Sequence, residues 1–105
     1  MKLIEKVFQN TQTDEKKIEK VIVDNHIHYL HLVFPKDDGL PIHQSNANLY
    51  MTVIRGILSI GLDNHEVHQY HKGAVLNVPF NTTMDVKNTN DEILELIIVK
   101  TPKPE

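Results

Sequence analysis

The residues of this chain best suited to chemistry are its seven histidines, which all lie before Lys72. His26 and His28 stand two residues apart, so on a β-strand their side chains would project to the same face. Two imidazoles at that spacing form half of a zinc or nickel site. The other interpretation is a solvated strand face, because the neighbouring Ile27 and Tyr29 form the apolar set, and we favour that interpretation.

A second group of histidines, His65, His68 and His71, follows a turn signal at Asp63-Asn64. A spacing of three suits one face of a helix, but the segment has the composition of a turn and a strand. On a strand, His65 and His71 would share one face and His68 would take the other. We therefore interpret these histidines as exposed polar residues rather than as ligands.

The carboxylates offer a weaker signal. Glu95 lies within the apolar run 93–99, and we interpret it as the outward residue of an alternating strand. The alternative is an acid inside a pocket. No serine–histidine–acid order, glycine-rich phosphate loop or paired-carboxylate motif stands out, so the sequence contains no standard catalytic motif.

Composition excludes several classes of protein. The chain has 105 residues, which is enough for a single domain over 1–105, and 40% of them are hydrophobic. A net charge of −3 argues against nucleic-acid binding, which needs a basic face. The absence of cysteine excludes disulfides and thiolate catalysis. No apolar run approaches the roughly 18 residues of a membrane helix, and no signal peptide is visible, so we predict a cytoplasmic protein with no membrane contact.

The chain alternates short apolar runs with turn signals, and this pattern predicts an all-β fold. The strands of that fold would hold the histidines and carboxylates in place. The predicted strands cover 20–23, 27–34, 50–54, 57–62, 67–70, 74–78, 84–87 and 93–99. The one helix candidate is 13–20, which also fits the edge of a strand. Residues 101–105 form a loose polar tail. This many short strands, with turns every 8–12 residues, favours a sandwich or a barrel.

One stretch carries a family pattern. Gly73, Pro79 and Asn88 stand at the spacing of the second motif of the cupin superfamily, and the chain resembles that superfamily over roughly 32–99. Asn81 replaces the motif's second glycine, which is a mild change because asparagine tolerates positive φ. Met84 replaces its histidine.

The resemblance implies a cupin double-stranded β-helix, or jelly-roll barrel, open at one end. Counting back from Gly56, the four metal-ligand positions of the family correspond to His43, Ser45, Leu49 and Met84. Leucine has no lone pair, and methionine is a weak, soft donor, so we predict a degenerate metal site with no metal and no cofactor. An adventitious ion would be sought first at His26, His28 and His43. The predicted pocket lining is His43, Ser45, Leu49, Met51 and Met84.

The leading functional hypothesis is binding of a small organic molecule in the barrel pocket without metal. One alternative is an enzyme, either a metal-dependent isomerase or oxygenase with non-standard ligands or a metal-free one using His43 as acid–base. Another is a structural or regulatory homodimer. We predict a two-fold homodimer in any case, with contacts at Ile18–Ile22 and at Tyr29, His31 and Val33.

Overall fold

Nine antiparallel β-strands make up the fold in the computed structural model, which describes residues 4–102 and contains no helix within that range. The strands are β1 (Lys17–Val23), β2 (His28–Phe34), β3 (His43–Gln44), β4 (Leu49–Arg55), β5 (Ile57–Leu62), β6 (His68–His71), β7 (Val75–Val78), β8 (Thr83–Lys87) and β9 (Leu94–Lys100). The predicted all-β class is therefore confirmed. None of the residues from 4 to 102 belongs to a helix that could cross a membrane.

The strands form two facing sheets. The five-stranded sheet has the order β1-β2-β9-β4-β7, and the four-stranded sheet has the order β3-β8-β5-β6. β9 pairs along its length with both β2 and β4, so the last strand of the domain lies at the centre of its sheet. This double-sheet arrangement matches the predicted jelly-roll architecture.

Alternation along the strands places the core between the sheets. In β2 the residues Leu30, Leu32 and Phe34 point inward, while Tyr29, His31 and Val33 point to the outer face. The same period of two applies to the other long strands. The buried core consists of Leu32, Phe34, Leu49, Met51, Val53, Leu58, Ile60, Val78, Met84, Val86, Leu94, Leu96 and Ile98. Each such side chain contributes roughly 1.5–3 kcal/mol by leaving water.

Five residues within 4–102 have positive φ, and three of them, Gly56, Gly73 and Asn81, belong to the family pattern. Gly56, at the corner between β4 and β5, has φ of 81°, and an added Cβ would lie 2.2 Å from the carbonyl oxygen of Ile93. Only glycine fits there, because the close approach involves backbone on both sides. Asn81 has φ of 66°, so it adopts the conformation expected where the resembling motif has glycine.

Two local predictions need correction. The helix candidate 13–20 is wrong: strand β1 begins at Lys17, and residues 13–16 form a turn in which the Thr13 hydroxyl accepts the backbone N–H of Glu15. The strand-edge alternative is what the chain adopts. Strand β3 was not predicted, because two residues are too short to show a period. Of the predicted tail, residues 103–105 lie outside the described range.

Candidate functional site

Three of the five predicted pocket residues lie in the packed core. Leu49, Met51 and Met84 are almost fully buried and belong to the main apolar cluster. Their strands come from both sheets, so the space between the sheets is filled by side chains at this point. Their role as a pocket lining stays a prediction.

The other two predicted lining residues are polar and already hydrogen-bonded. Ser45 is buried, and its hydroxyl donates to the carbonyl of Pro79 at 2.6 Å while accepting the N–H of Thr82 at 2.9 Å. His43 is exposed, and its Nδ1 lies 2.8 Å from the carbonyl oxygen of Pro41, to which it donates. Ser45 therefore holds the turn before β8, and the role of Ser45 and His43 in a pocket lining stays a prediction.

The four positions that the resemblance assigns to metal do not fit a divalent ion. Two of them are core hydrocarbon or thioether side chains, one is a hydroxyl used by a turn, and the only imidazole lies at the surface. Across residues 4–102, no three His, Asp or Glu side chains lie close enough together to hold a metal ion. His26 precedes β2, in a turn closed by the Asp24 carboxylate, rather than sharing a strand with His28.

An open cavity of about 480 Å³ lies instead against the β5–β6 hairpin. Register explains its position: His68 pairs with Ile60, and Tyr70 pairs with Leu58, so both polar rings share the face that points between the sheets. The full lining is Ile60, Leu62, Asn64, His65, Glu66, His68 and Tyr70.

This cavity combines an apolar floor with a polar rim. Ile60 and Leu62 supply the floor, and the rings of His68 and Tyr70 stand 6.4 Å apart at a tilt of 36°. Imidazole, phenol, amide and carboxylate groups can together donate and accept hydrogen bonds to one ligand. Such a lining suits a small organic molecule with an apolar body and polar substituents.

The cavity brings together two histidines, His65 and His68, that the sequence pattern had placed on opposite faces. His65 lies in the turn and not on the strand, so it lines the cavity together with His68, whereas His71 faces the opposite side of β6. The earlier assignment of His65 and His71 to one face is therefore wrong. Tyr70 was not singled out, although alternation from His68 would have placed it on the same face.

A second polar assembly lies on the outer face of the five-stranded sheet. His31 has no exposed surface, and it is flanked by Glu19 from β1 and Glu95 from β9. Its Nδ1 is 2.7 Å from Glu19 Oε2, and its Nε2 is 2.6 Å from Glu95 Oε2. The structure thus places Glu95 on the outer face, as predicted. It also reveals a buried histidine that the sequence analysis had assigned to a dimer contact.

Arg55 extends this assembly to the N-terminal segment. Its Nε donates to Glu95 Oε1 at 2.8 Å, its Nη1 lies 2.8 Å from Asp14 Oδ1, and its Nη2 donates to the carbonyl of Thr13 at 3.0 Å. The hydrogen bond to Asp14, and after it the one to Glu95, raises the pKa of Arg55. Thr13, Asp14, Arg55 and Glu95, with Gln12, also surround an open polar cavity of about 520 Å³.

Among the described residues, Glu19 is the acid whose pKa is lowered most strongly. The backbone N–H of Thr11, 2.9 Å from Glu19 Oε2, and then the contact with His31 lower the pKa of Glu19 to about 2 from 4.5. The Thr11 hydroxyl also donates to this carboxylate at 3.0 Å. Glu19 therefore remains ionised at neutral pH.

Comparisons with known proteins agree with this architecture. A crystal structure of an RmlC-like cupin family protein with a double-stranded β-helix fold, from Methanocaldococcus jannaschii, is 35% identical to this chain with a TM-score of 0.92. That match covers 95% of this chain and 93% of the other. The same Methanocaldococcus jannaschii protein, which is uncharacterised, aligns with this chain over 103 residues at 35% identity, and the alignment covers 97% of this chain and 89% of that relative.

A more distant structure shows the fold alone. An RmlC-like cupin protein from Desulfovibrio desulfuricans has a TM-score of 0.76 at 21% identity, covering 89% of this chain and 91% of that one. No protein-family model matches the chain. Together these similarities confirm the double-stranded β-helix that Gly73, Pro79 and Asn88 predicted.

Proposed function

We propose that this chain, which belongs to the RmlC-like cupin family, binds a small organic molecule in the cavity beside the β5–β6 hairpin. The observation that carries the proposal is the register of β6. It places His68 and Tyr70 beside the apolar Ile60 and Leu62, on the face that looks between the two sheets. No metal is part of this proposal, because the four inherited ligand positions lack converging donors.

The experiment is a thermal-shift screen with small aromatic and aliphatic acids, amides and alcohols, followed by calorimetry on any compound that raises the melting temperature. A ligand present at 100 times its Kd stabilises the folded state by about 2.7 kcal/mol. The His68→Ala variant should lose this shift. His71→Ala is the matched control, since His71 lies on the same strand but faces the other way.

Two results would contradict the proposal. One is a binding compound whose affinity responds equally to His68→Ala and His71→Ala. The other is the absence of any stabilising compound from the whole screen. About one transition-metal ion per chain in purified, untagged protein would instead favour the alternative of a metal-dependent isomerase or oxygenase.

A specific observation also favours a homodimer. Within the described part of the N-terminal segment, Ile4 is 93% exposed, Val7 is 83% exposed and Phe8 is about half exposed. Tyr50, Ile54 and Val75 are exposed on β4 and β7, at the other side of the same sheet. These are two separate sets of exposed apolar side chains, and exposed apolar surface of this kind is typical of contacts between chains. We therefore propose a two-fold dimer in which these residues are covered.

The contact predicted at Tyr29, His31 and Val33 needs revision. His31 and Val33 have no exposed surface in a single chain, so they are unavailable to a partner. Light scattering should report about twice 12.1 kDa for the parent chain. Val7→Asp should shift the mass towards the monomer, whereas Ile42→Asp, in an exposed loop, should leave it unchanged. A parent mass of 12.1 kDa at micromolar concentration would contradict the dimer.

Charge and composition support two further proposals. The protein acts in the cytoplasm, since a chain without cysteine needs no oxidising compartment to form disulfides. It does not bind nucleic acid, since its net charge is −3. Fractionation of cells that produce the untagged protein tests the first. A filter-binding assay at low salt tests the second.

A further inference from the structure

The environment of His31 fixes how many protons it needs. A neutral imidazole has one N–H and one lone pair, whereas an ionised carboxylate can only accept hydrogen bonds. His31 makes contacts of 2.7 Å and 2.6 Å to two different carboxylates, one from each ring nitrogen. A neutral His31 between two ionised carboxylates has only one N–H, which is enough for one hydrogen bond. Both contacts can be hydrogen bonds only if the three side chains share one additional proton.

The hydrogen bonds of the two acids place that proton on His31. Glu19 also accepts the N–H and the hydroxyl of Thr11, and its lowered pKa agrees with an ionised state. Glu95 also accepts the Nε–H of Arg55 at 2.8 Å. Both carboxylates are thus surrounded by donors, which stabilise their charged forms. His31 is then an imidazolium that donates from both nitrogens.

The two carboxylates connect His31 to the N-terminal segment, in which we call residues 11–14 the strap. Thr11 is held by Glu19, while Thr13 and Asp14 are held by Arg55, which in turn is held by Glu95. Two residues therefore hold the strap: Glu19 contacts His31 directly, and Arg55 contacts it through Glu95. Asp14 is largely exposed, so its ion pair with Arg55 contributes little to holding the strap, whereas the hydrogen bond from Arg55 to the Thr13 carbonyl is partly buried.

Charged groups of both signs lie around His31 and its two carboxylates. Lys17 and Glu19 come from the same face of β1, Glu95 from β9, Arg55 from β4 and Asp14 from the strap. Without the extra proton, the two partly buried carboxylates would share a single N–H of His31. One of them would then face a ring lone pair at hydrogen-bond distance, which is repulsive.

We propose that His31 is a proton-held latch: its second ring proton fixes the strap on the outer face of the five-stranded sheet, between Glu19 of β1 and Arg55 of β4, and loss of that proton releases the strap. Release uncovers His31 and lets the segment that precedes the strap move with it. The proposal is independent of ligand binding at the β5–β6 hairpin.

The test follows the Thr11 amide and the His31 ring by nuclear magnetic resonance from about pH 5 to about pH 9, a window that contains the range of about pH 5–8 in which histidine switches operate. Nitrogen-15 shifts of His31 should show two protonated ring nitrogens while the Thr11 amide is protected from exchange. As pH rises, the loss of the second ring proton and a fall in Thr11 protection of at least about tenfold should coincide, since tenfold corresponds to about 1.4 kcal/mol.

The decisive variant is Glu95→Gln, which keeps the size of the side chain. Its amide oxygen can still accept from Arg55, and its NH₂ group can donate to the lone pair of a neutral His31. The latch then needs no extra proton, so Thr11 protection should stay constant across the pH range. Glu92→Gln is the matched control, because it removes an exposed carboxylate that has no contact with His31 and should behave as the parent chain does.

Three outcomes would overturn the proposal. The first is a parent chain in which one ring nitrogen of His31 is unprotonated while the Thr11 amide is protected. The second is parent Thr11 protection that does not change with pH. The third is the same pH dependence in Glu95→Gln as in the parent. The first two are measured on the parent chain, so they decide the question even if the variant fails to fold.

Discussion

Replacing Asn88 by alanine should destabilise the fold far more than replacing a neighbouring asparagine. The Asn88 side chain is buried, and its Nδ2 donates to the carbonyls of Phe34 and Glu92, both at 2.8 Å. Its Oδ1 accepts the N–H of Asn90 at 3.0 Å. Phe34 ends β2, Glu92 precedes β9, and Asn88 itself follows β8, so this one amide joins strand ends from both sheets.

The magnitude follows from the groups that Asn88→Ala would leave unpaired. The Phe34 carbonyl is in a buried position, and an unsatisfied buried acceptor costs about 1–3 kcal/mol. The Glu92 carbonyl and the Asn90 N–H are nearer to water and add less. A total loss of roughly 2–5 kcal/mol is expected, which is a large part of the 5–15 kcal/mol that stabilises an ordinary domain.

Asn90→Ala is the matched control, because the Nδ2 of Asn90 is buried without a hydrogen-bond partner and its backbone N–H is unaffected by the change. Urea unfolding followed by circular dichroism should show a midpoint lower by about 1–3 M for Asn88→Ala, with a shift near zero for Asn90→Ala. Equal shifts for the two variants would refute the reasoning. So would a loss below about 1 kcal/mol for Asn88→Ala, since a single orphaned buried carbonyl costs at least that much.

Two further predictions concern acid stability and metal binding. Because the pKa of Glu19 is lowered to about 2 from 4.5, the stability that it contributes is complete above pH 4.5 and is lost as pH falls towards 2; urea unfolding at several pH values should therefore show a smaller acid loss in Glu19→Gln than in the parent. The combined variant Ser45→His, Leu49→Glu and Met84→His, which adds three donors to His43, should melt lower than the parent without metal because it buries polar groups in the core, and zinc should restore its melting temperature. A variant that folds but gives no calorimetric response to zinc, nickel or manganese would contradict the assignment of these positions.

Most of the fold could be predicted because its strands repeat a period of two over four or more residues. The runs that end at Phe34, Leu62 and Lys87 all have the predicted ends. β3 is too short to show a period. The segment around Lys17 carries both helix and strand signals, and only its pairing with β2 decides between them. Tertiary pairing of this kind overrides local propensity.

The candidate sites were harder to predict, because they depend on register. His31 is separated from Glu19 by 12 residues and from Glu95 by 64, so no spacing in the sequence shows their contact. The available signal was that both faces of β2 are apolar, with Tyr29 and Val33 on the outer one, which indicates a strand covered on both sides. A buried histidine on such a strand needs partners from its neighbours.

The position of β9 has a consequence for how the protein is made. During synthesis, β1 and β2 can form a hairpin early, but β2 and β4 cannot join one sheet until β9 has left the ribosome and inserted between them. Until then Leu32, Phe34 and Val53 lack their neighbours on β9, and the unpaired edges of β2 and β4 are open to other chains. Nascent chains that stop before Leu94 should therefore be insoluble and bound by chaperones, whereas adding the seven residues of β9 should allow the domain to close in one step.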